Sequence, residues 1–272
     1  MVKKVRLDQL IVDKGLISSR EKAKRTIMAG LVFSQGQRLD KPGTKVEEDI
    51  EIDIKGKDIP YVGRGGLKLE KALQFFSIDV KNRVMIDVGS STGGFTDCGL
   101  QNGIKLSYAV DVGYNQLDWK LRNDSRVVVM ERTNFRHVTP DMLIYDTPNF
   151  ATVDVSFISL KLILPPLYTV LAMESDVVAL IKPQFEAGRE QVGKKGIVRN
   201  KSIHRQVLTE ILFYAKETGF SVQALTYSPI TGGDGNIEFL AWLRKTETHA
   251  DNDGFIMNLV EDVTEQAHQE LN

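Results

Sequence analysis

Cysteine is nearly absent. Cys98 is the single thiol in 272 residues, so no intramolecular disulfide can form and a reducing cytosol is the expected compartment. Histidine is almost as scarce: His137, His204, His249 and His268 have neither cysteine company nor the close spacing of a metal-binding pair, which predicts no structural zinc and no metal site. No window approaches the roughly 18 consecutive apolar residues of a membrane-spanning helix, and the opening Met-Val-Lys-Lys-Val-Arg lacks the apolar core of a secretory signal. Repeats and low-complexity tracts are missing too. What remains, with 42% hydrophobic and 26% charged residues, is the composition of a folded chain long enough for more than one domain.

Net charge is close to zero, at −1, but it is unevenly spread. Residues 1–45 hold eleven Lys/Arg against four acids, a balance of +7, and the remaining 227 residues carry 24 basic and 32 acidic side chains, a balance of −8. A basic head on an acidic body points to a polyanion gripped by one end of the chain.

The pattern of that head is helix, turn, helix, small sheet. Leu7, Leu10 and Ile11 share a helical face and Gly15 sits at a stop position. Ser18 followed by Glu21 reads as a capping box for a second helix that ends at Gly30. Leu31 to Phe33 and the stretch around Val46, Ile50, Ile52 and Ile54 read as short strands. With Arg6-Leu7-Asp8, Ser18-Ser19-Arg20-Glu21-Lys22-Ala23 and Gly30-Leu31-Val32, residues 1–55 resemble an S4 RNA-binding domain, a small α+β module. That resemblance puts Arg6, Arg20, Lys24 and Arg25 near RNA phosphates, where cations on one helix face release counterions from the backbone.

Residues 56–62 read as a linker. After Arg64-Gly65-Gly66, Leu69, Ala72, Leu73 and Phe76 define an apolar stripe that leaves Lys68 off it, free to face a cleft. The rhythm then becomes strand, helix, strand: Val84–Val88, Tyr108–Val112, Val127–Met130, Ala151–Val155 and Val177–Ile181 are short apolar runs of the kind buried in parallel sheets. The expectation over 63–245 is therefore a doubly wound, Rossmann-like α/β domain. Leu160–Ala172, broken at Pro165-Pro166, and Ile203–Ala215 are expected helices, and Val222–Thr226 and Glu238–Leu243 are two late strands. Residues 246–272 read as a polar tail with a weak helix through Ile256, Leu259, Val260 and Val263.

The first strand runs into Asp87-Val88-Gly89-Ser90-Ser91-Thr92-Gly93-Gly94-Phe95-Thr96. Glycines there let backbone pass close to a ligand, and open α/β sheets bind ligands beyond the carboxyl ends of their strands. The spacing is neither that of a phosphate loop nor Gly-x-Gly-x-x-Gly. Asp111, at the end of the second strand, suits ribose hydroxyls, and Asn134 is a candidate adenine contact. An adenosine cofactor without pyrophosphate fits, and S-adenosylmethionine is the expectation, with Asp87 helping to hold its cationic groups. Asp154, Lys182 and Glu238 fall at further strand ends and, with Lys68, would surround one substrate hydroxyl if the last strand inserts beside the fifth.

Five ordered blocks, namely Arg64 to Leu69, Asp87 to Thr96, Asp154-Val155-Ser156-Phe157, Lys182-Pro183-Gln184-Phe185-Glu186 and Gly235-Asn236-Ile237-Glu238, make essentially the whole chain similar to the TlyA, or haemolysin A-like, family of ribosomal RNA 2′-O-methyltransferases, whose catalytic domain is of the FtsJ type. The resemblance implies a catalytic tetrad of Lys68, Asp154, Lys182 and Glu238, and cytidine 2′-hydroxyls of ribosomal RNA as substrates. Two roles for Lys182 stand at this point. As a base, its pKa of ~10.4 must be depressed by desolvation and neighbouring cations. As an ammonium held by Asp154 and Glu238, it stabilises the developing alkoxide while water takes the proton. The 183–200 connection, with Arg189, Lys194, Lys195 and Arg199, reads as a mobile lid that contacts RNA, and Arg64 joins the expected RNA contacts. Three other readings compete: a noncatalytic RNA-binding or ribosome-assembly factor, a membrane-active haemolysin, and another S4-bearing RNA modifier such as a pseudouridine synthase.

Overall fold

The structure is a computed structural model that describes residues 4–28, 30–54, 60–193, 195–232, 235–247 and 252–271, with the side chain of Arg25 left aside. The chain divides into two compact units, residues 1–66 and 67–272. Most of the expected 56–62 linker, at 55–59, lies outside the described residues.

In the first unit, β1 (Lys4–Arg6) leads into α1 (Leu7–Asp13) and α2 (Arg20–Met28), followed by β2 (Val32–Ser34), β3 (Gln37–Arg38), β4 (Lys45–Glu47) and β5 (Asp53–Ile54). β1 pairs with β4, and β2 lies between β3 and β5, all antiparallel. Leu7, Leu10, Ile11, Ala23, Ile27 and Val32 form the core of this unit. Gly15 and Gly30 end the helices at φ +68° and +72°. The cap of α2 sits one residue later than the sequence suggests: Ser19, not Ser18, accepts from the Lys22 amide, at 3.3 Å.

The second unit starts in α3 (Gly65–Phe76) and winds through β6 (Val84–Val88), α4 (Gly94–Gln101), β7 (Leu106–Val110), the single turn α5 (Trp119–Arg122) and β8 (Val127–Met130). Then come β9 (Phe150–Val153), α6 (Leu164–Val170), β10 (Ser175–Ile181), the short α7 (Pro183–Glu186), α8 (Lys201–Glu217), β11 (Phe220–Tyr227), β12 (Phe239–Lys245) and α9 (Asp253–Leu271). The seven-stranded sheet has the order β11-β12-β10-β9-β6-β7-β8. Its strands are parallel from β10 to β8, and β12 runs antiparallel between β10 and β11. β6 and β10 are buried along their whole length, which explains why they read as largely apolar runs, Asp87 in β6 and Ser175-Asp176 in β10 being the exceptions.

Two expectations change here. Pro165 and Pro166 do not break a helix; they occupy the first turn of α6, where their missing N–H groups have no intrahelical partner to lose. The polar tail carries α9, whose Ile256, Val260, Val263 and Ala267 enter the main core. Among the described residues no helix is long and apolar enough to cross a membrane.

Candidate active site

A parallel sheet brings the carboxyl ends of its strands to one edge, and the winding reverses at β6, whose neighbours are β7 and β9. The crevice beyond such a switch point is where open α/β sheets hold ligands. Asp87 lies within β6, Asp111 follows β7, Asp154 follows β9 and Lys182 follows β10. β12 presents its amino end to the same edge: Ile181 pairs with Phe239, so Glu238 and Lys182 are neighbours in the ladder. Lys68 comes from the first turn of α3.

These placements bring four charges together. Lys182 Nζ lies 2.5 Å from Asp154 Oδ1 and donates to Ser156 Oγ at 3.0 Å. Lys68 Nζ donates to Glu238 Oε2 at 2.6 Å and lies 3.8 Å from Asp154 Oδ2. Glu238, although beside Lys182 in the ladder, thus directs its carboxylate at Lys68. Lys68, Lys182 and Glu238 are buried, while Asp154 retains 21% side-chain exposure. Two ammonium and two carboxylate groups compensate one another, the condition for holding charge away from water.

Asp154 also lines a cavity of about 350 Å³, which runs past Gly89 and Ser91 to Asp111, Asn134 and Phe135 and is of a size typical of small-molecule sites. Of the residues expected to hold a cofactor, Gly89, Ser91, Asp111, Asn134 and Asp154 line it; Gln116, Thr133 and Val155 are lining residues that the sequence reading missed. Asp111 braces the glycine-rich turn, accepting from the Ser91 amide at 2.8 Å and the Gly113 amide at 2.7 Å. Asn134 Oδ1 accepts from the amide and Nε of Arg136, both at 3.2 Å. A mostly apolar cleft whose lining includes the carboxylates of Asp111 and Asp154 and the amide of Asn134 fits an adenosine cofactor.

The turn itself acts through its backbone. Gly89 has φ +84°, and a Cβ there would stand 2.5 Å from the carbonyl oxygen of Asp154, so only glycine lets β6 and β9 close up at this point. Gly93, at φ +93°, caps α4, and Gly94 and Phe95 are buried in that helix. Ser90, Thr92, Gly93, Gly94 and Phe95 do not line the cavity. Nor does Asp87. It is fully buried, accepting from Thr96 N at 3.1 Å, Thr96 Oγ1 at 2.7 Å and Thr152 Oγ1 at 2.8 Å. Burial pushes its pKa up to about 6 against the pull of those hydrogen bonds. Through these bonds Asp87 ties β6 to the start of α4 and to β9.

Phe157 packs against Phe185 with tilted rings, 4.8 Å between ring centres, and Lys182 Nζ lies 5.8 Å from the Phe185 ring. Glu186 accepts from Ser159 Oγ at 2.6 Å and the Leu160 amide at 2.8 Å, and burial raises its pKa. Both residues sit in the sequence block that begins at Lys182, but nothing in the block announces their partners. Within the expected lid Gly188 N donates to Gln191 Oε1 at 3.0 Å, and near its end Val198 N donates out to Asn236 Oδ1 at 2.9 Å. Arg189 and Lys195 are exposed on it, and Lys194 lies outside the described residues.

In the first unit Arg6 and Arg20 do not stand free on a helix face. Arg6 makes a two-pronged pair with Asp8, at 3.0 Å for each nitrogen, and Arg20 Nε reaches the same carboxylate at 3.0 Å. Asp8 is buried, and the Arg6 hydrogen bonds hold its carboxyl below the usual range. Both guanidiniums keep 47% exposure, so one carboxylate aligns two half-exposed cations. Lys24 pairs with Glu21 at 3.0 Å, and Arg64 is half-buried just before α3. Arg25 lies in α2, and its side chain is outside the described residues.

Comparison with known proteins matches residues 61–245 to the FtsJ-like methyltransferase family and residues 5–52 to the S4 domain. A Bacillus subtilis protein provisionally named rRNA methyltransferase YqxC is 58% identical over 99% of this chain and 96% of its own length. The 16S/23S rRNA (cytidine-2′-O)-methyltransferase TlyA of Mycobacterium tuberculosis is 40% identical over 90% of this chain and 91% of its own. A solved structure from Streptococcus thermophilus, described provisionally as a hemolysin, is 53% identical, covers 99% of this chain and 98% of that one, and superposes with a TM-score of 0.78.

Proposed function

This chain belongs to the FtsJ-like methyltransferase family, and we propose that it transfers a methyl group from S-adenosylmethionine to the 2′-hydroxyl of a cytidine in ribosomal RNA. The observation that carries the reading is the position of Asp154, which borders the cavity and is paired with the two buried lysines. The Mycobacterium tuberculosis relative's name supports cytidine and ribosomal RNA, and the S4 match supports an RNA substrate.

When bound, S-adenosylmethionine supplies a methyl group activated by a cationic sulfur. Gly89, Ser91, Asp111 and Asn134 are the residues proposed to hold it. A ribose hydroxyl is a weak nucleophile, so the chain's own task is to align it and to ease loss of its proton. Lys182, paired with Asp154 and hydrogen-bonded to Ser156, is proposed to act as an ammonium that donates to the hydroxyl oxygen and stabilises its developing negative charge, while the proton leaves to water. Asp154 fixes the direction of Lys182, and the Glu238–Lys68 pair fixes Asp154 from the other side. Arg6, Arg20, Lys24, Arg64, Arg189 and Lys195 are proposed phosphate contacts.

The reading is tested by supplying methyl-labelled S-adenosylmethionine with unmodified small subunits, large subunits and naked ribosomal RNA. Label on a cytidine ribose is expected. Tight cofactor binding with no transfer to any of the three would reject it in favour of a noncatalytic RNA-binding role.

A further inference from the structure

We propose that His204 and Asn236 are positioning residues for methyl transfer, through which the C-terminal helix α9 sets the placement of Glu238; the inference rests on the role just given to Glu238. His204 is completely buried on α8. Its Nε2 lies 3.0 Å from the Val198 carbonyl oxygen. A carbonyl can only accept, so Nε2 carries the hydrogen, and in the neutral ring that burial favours Nδ1 is bare. Nδ1 must then accept from His268 Nε2, which lies 2.9 Å away on α9. Burial lowers the pKa of both rings and so keeps them neutral near neutral pH, and the bonds then run one way: His268 donates to His204, and His204 donates to Val198.

The chain of contacts continues to the active site. The Val198 amide donates to Asn236 Oδ1 at 2.9 Å, and Asn236 Nδ2 returns a bond to the Gly196 carbonyl at 2.9 Å. Asn236 is itself buried, at 2% exposure, and its carbonyl accepts from the Gly232 amide at 2.9 Å. Two residues further on is Glu238, and Phe239, which follows it, receives the edge of the His204 ring with centres 5.5 Å apart. His204 therefore grips the segment that carries Glu238 from two sides, by its T-shaped ring contact with Phe239 and by hydrogen bonds through Val198 to Asn236. The same loop leaves the sheet at Lys182, so both tetrad residues of this edge are adjacent to the latch. α9 lies beyond residues 61–245, the part matched to the methyltransferase family. The placement of Glu238 is thus assigned to a segment outside the family domain.

Full-length variants test this. His204→Leu and Asn236→Ala each remove two of the directed bonds, whereas His204→Gln can replace them, its amide nitrogen donating to Val198 and its oxygen accepting from His268. Since displacement of a catalytic group by about 1 Å can lower turnover by about 100-fold, His204→Leu and Asn236→Ala are expected to reduce kcat by at least about tenfold while KM for the RNA and the Kd for S-adenosylmethionine change by less than about threefold. His204→Gln is expected to recover kcat to within about threefold of wild type. A folded His204→Leu protein with wild-type kcat, or a Gln variant as impaired as the Leu variant, would overturn the proposal. Amide hydrogen exchange reads the latch independently of activity: faster exchange at both 196–198 and 236–239 is expected for His204→Leu and not for His204→Gln. Unchanged exchange at 236–239 overturns the latch even if methyl transfer is intact, whereas an inactive wild type with the expected exchange pattern rejects the methyltransferase reading and not the latch.

Discussion

Asp154 and Lys182 meet at 2.5 Å through Oδ1 and Nζ, and the other oxygen of the same carboxylate lies 3.8 Å from Lys68. One carboxylate therefore serves two ammonium groups and is also the member of the tetrad that reaches the cavity. The cofactor space and the cationic pair are joined at a single side chain, which separates what each variant should lose.

Lys182→Ala removes the proposed oxyanion donor but leaves Gly89, Ser91, Asp111 and Asn134 in place. Single-turnover transfer to ribosomal RNA is expected to fall by roughly 10²–10⁴-fold, while calorimetry should find the Kd for S-adenosylmethionine within about threefold of wild type. Turnover near the wild-type rate would remove Lys182 from the mechanism.

Lys68 and Glu238 form a buried pair, with 7% and 4% of their side chains exposed. Lys68→Met or Glu238→Leu alone strands a charge and is expected to lower unfolding free energy by roughly 3–5 kcal/mol. The double variant, which strands neither partner of the pair, should recover much of that stability without recovering activity. Denaturant titration of the four proteins checks this, and a double variant that is as active as wild type would show the pair to be structural only.

Asp87 accepts three hydrogen bonds and does not line the cavity. Asp87→Ala leaves the Thr96 amide and two threonine hydroxyls without their buried acceptor, so a loss of roughly 1–3 kcal/mol in stability is expected. Cofactor affinity, compared below the variant's melting temperature, should change much less. An affinity loss without a stability loss would instead favour the hold on the cofactor's cationic groups expected from the sequence.

The fold was legible where burial leaves a local trace. Parallel strands buried on both faces are predominantly apolar, as β6 is apart from Asp87 and β10 is from Val177 to Ile181; strand-end charges stand out against such runs, which is why Asp154, Lys182 and Glu238 could be picked. Asp87 could not be assigned in the same way. An acid inside β6 looks the same in sequence whether it faces a ligand or Thr96 and Thr152, which lie nine and 65 residues away. The Arg6–Asp8–Arg20 clamp hides for a similar reason, because sequence shows charge but not its partner. α9 was muted by its polar faces, since one apolar stripe suffices once α8 and the sheet supply the opposite wall. His204 and His268, 64 residues apart, have no local signature at all.

Burial lowers the pKa of His204 from 6.5 to about 4. The unfolded chain then binds the proton first as pH falls, so this group removes stability between pH 6.5 and about 4, by at most roughly 2–3 kcal/mol. Asp87 has the opposite sign: its pKa is raised from 3.8 to about 6, so its contribution is fully present below the unfolded value and is lost as pH rises through about 6. The two partly cancel in the wild type. Subtracting the stability curve of His204→Gln from that of wild type isolates the histidine, and the difference should shift against the wild type on acidification below pH 6.5. A pH-independent difference would contradict the burial assigned to His204.

The most direct test of the central claim is site mapping of the transferred methyl group on ribosomal RNA, with wild type and Lys182→Ala run in parallel on unmodified subunits. Methylation of a cytidine 2′-oxygen by the wild type, absent with the variant, is the expected result. A methyl group found on a base, or the same ribose methylation from both proteins, would contradict the role given to the Lys68, Asp154, Lys182 and Glu238 cluster.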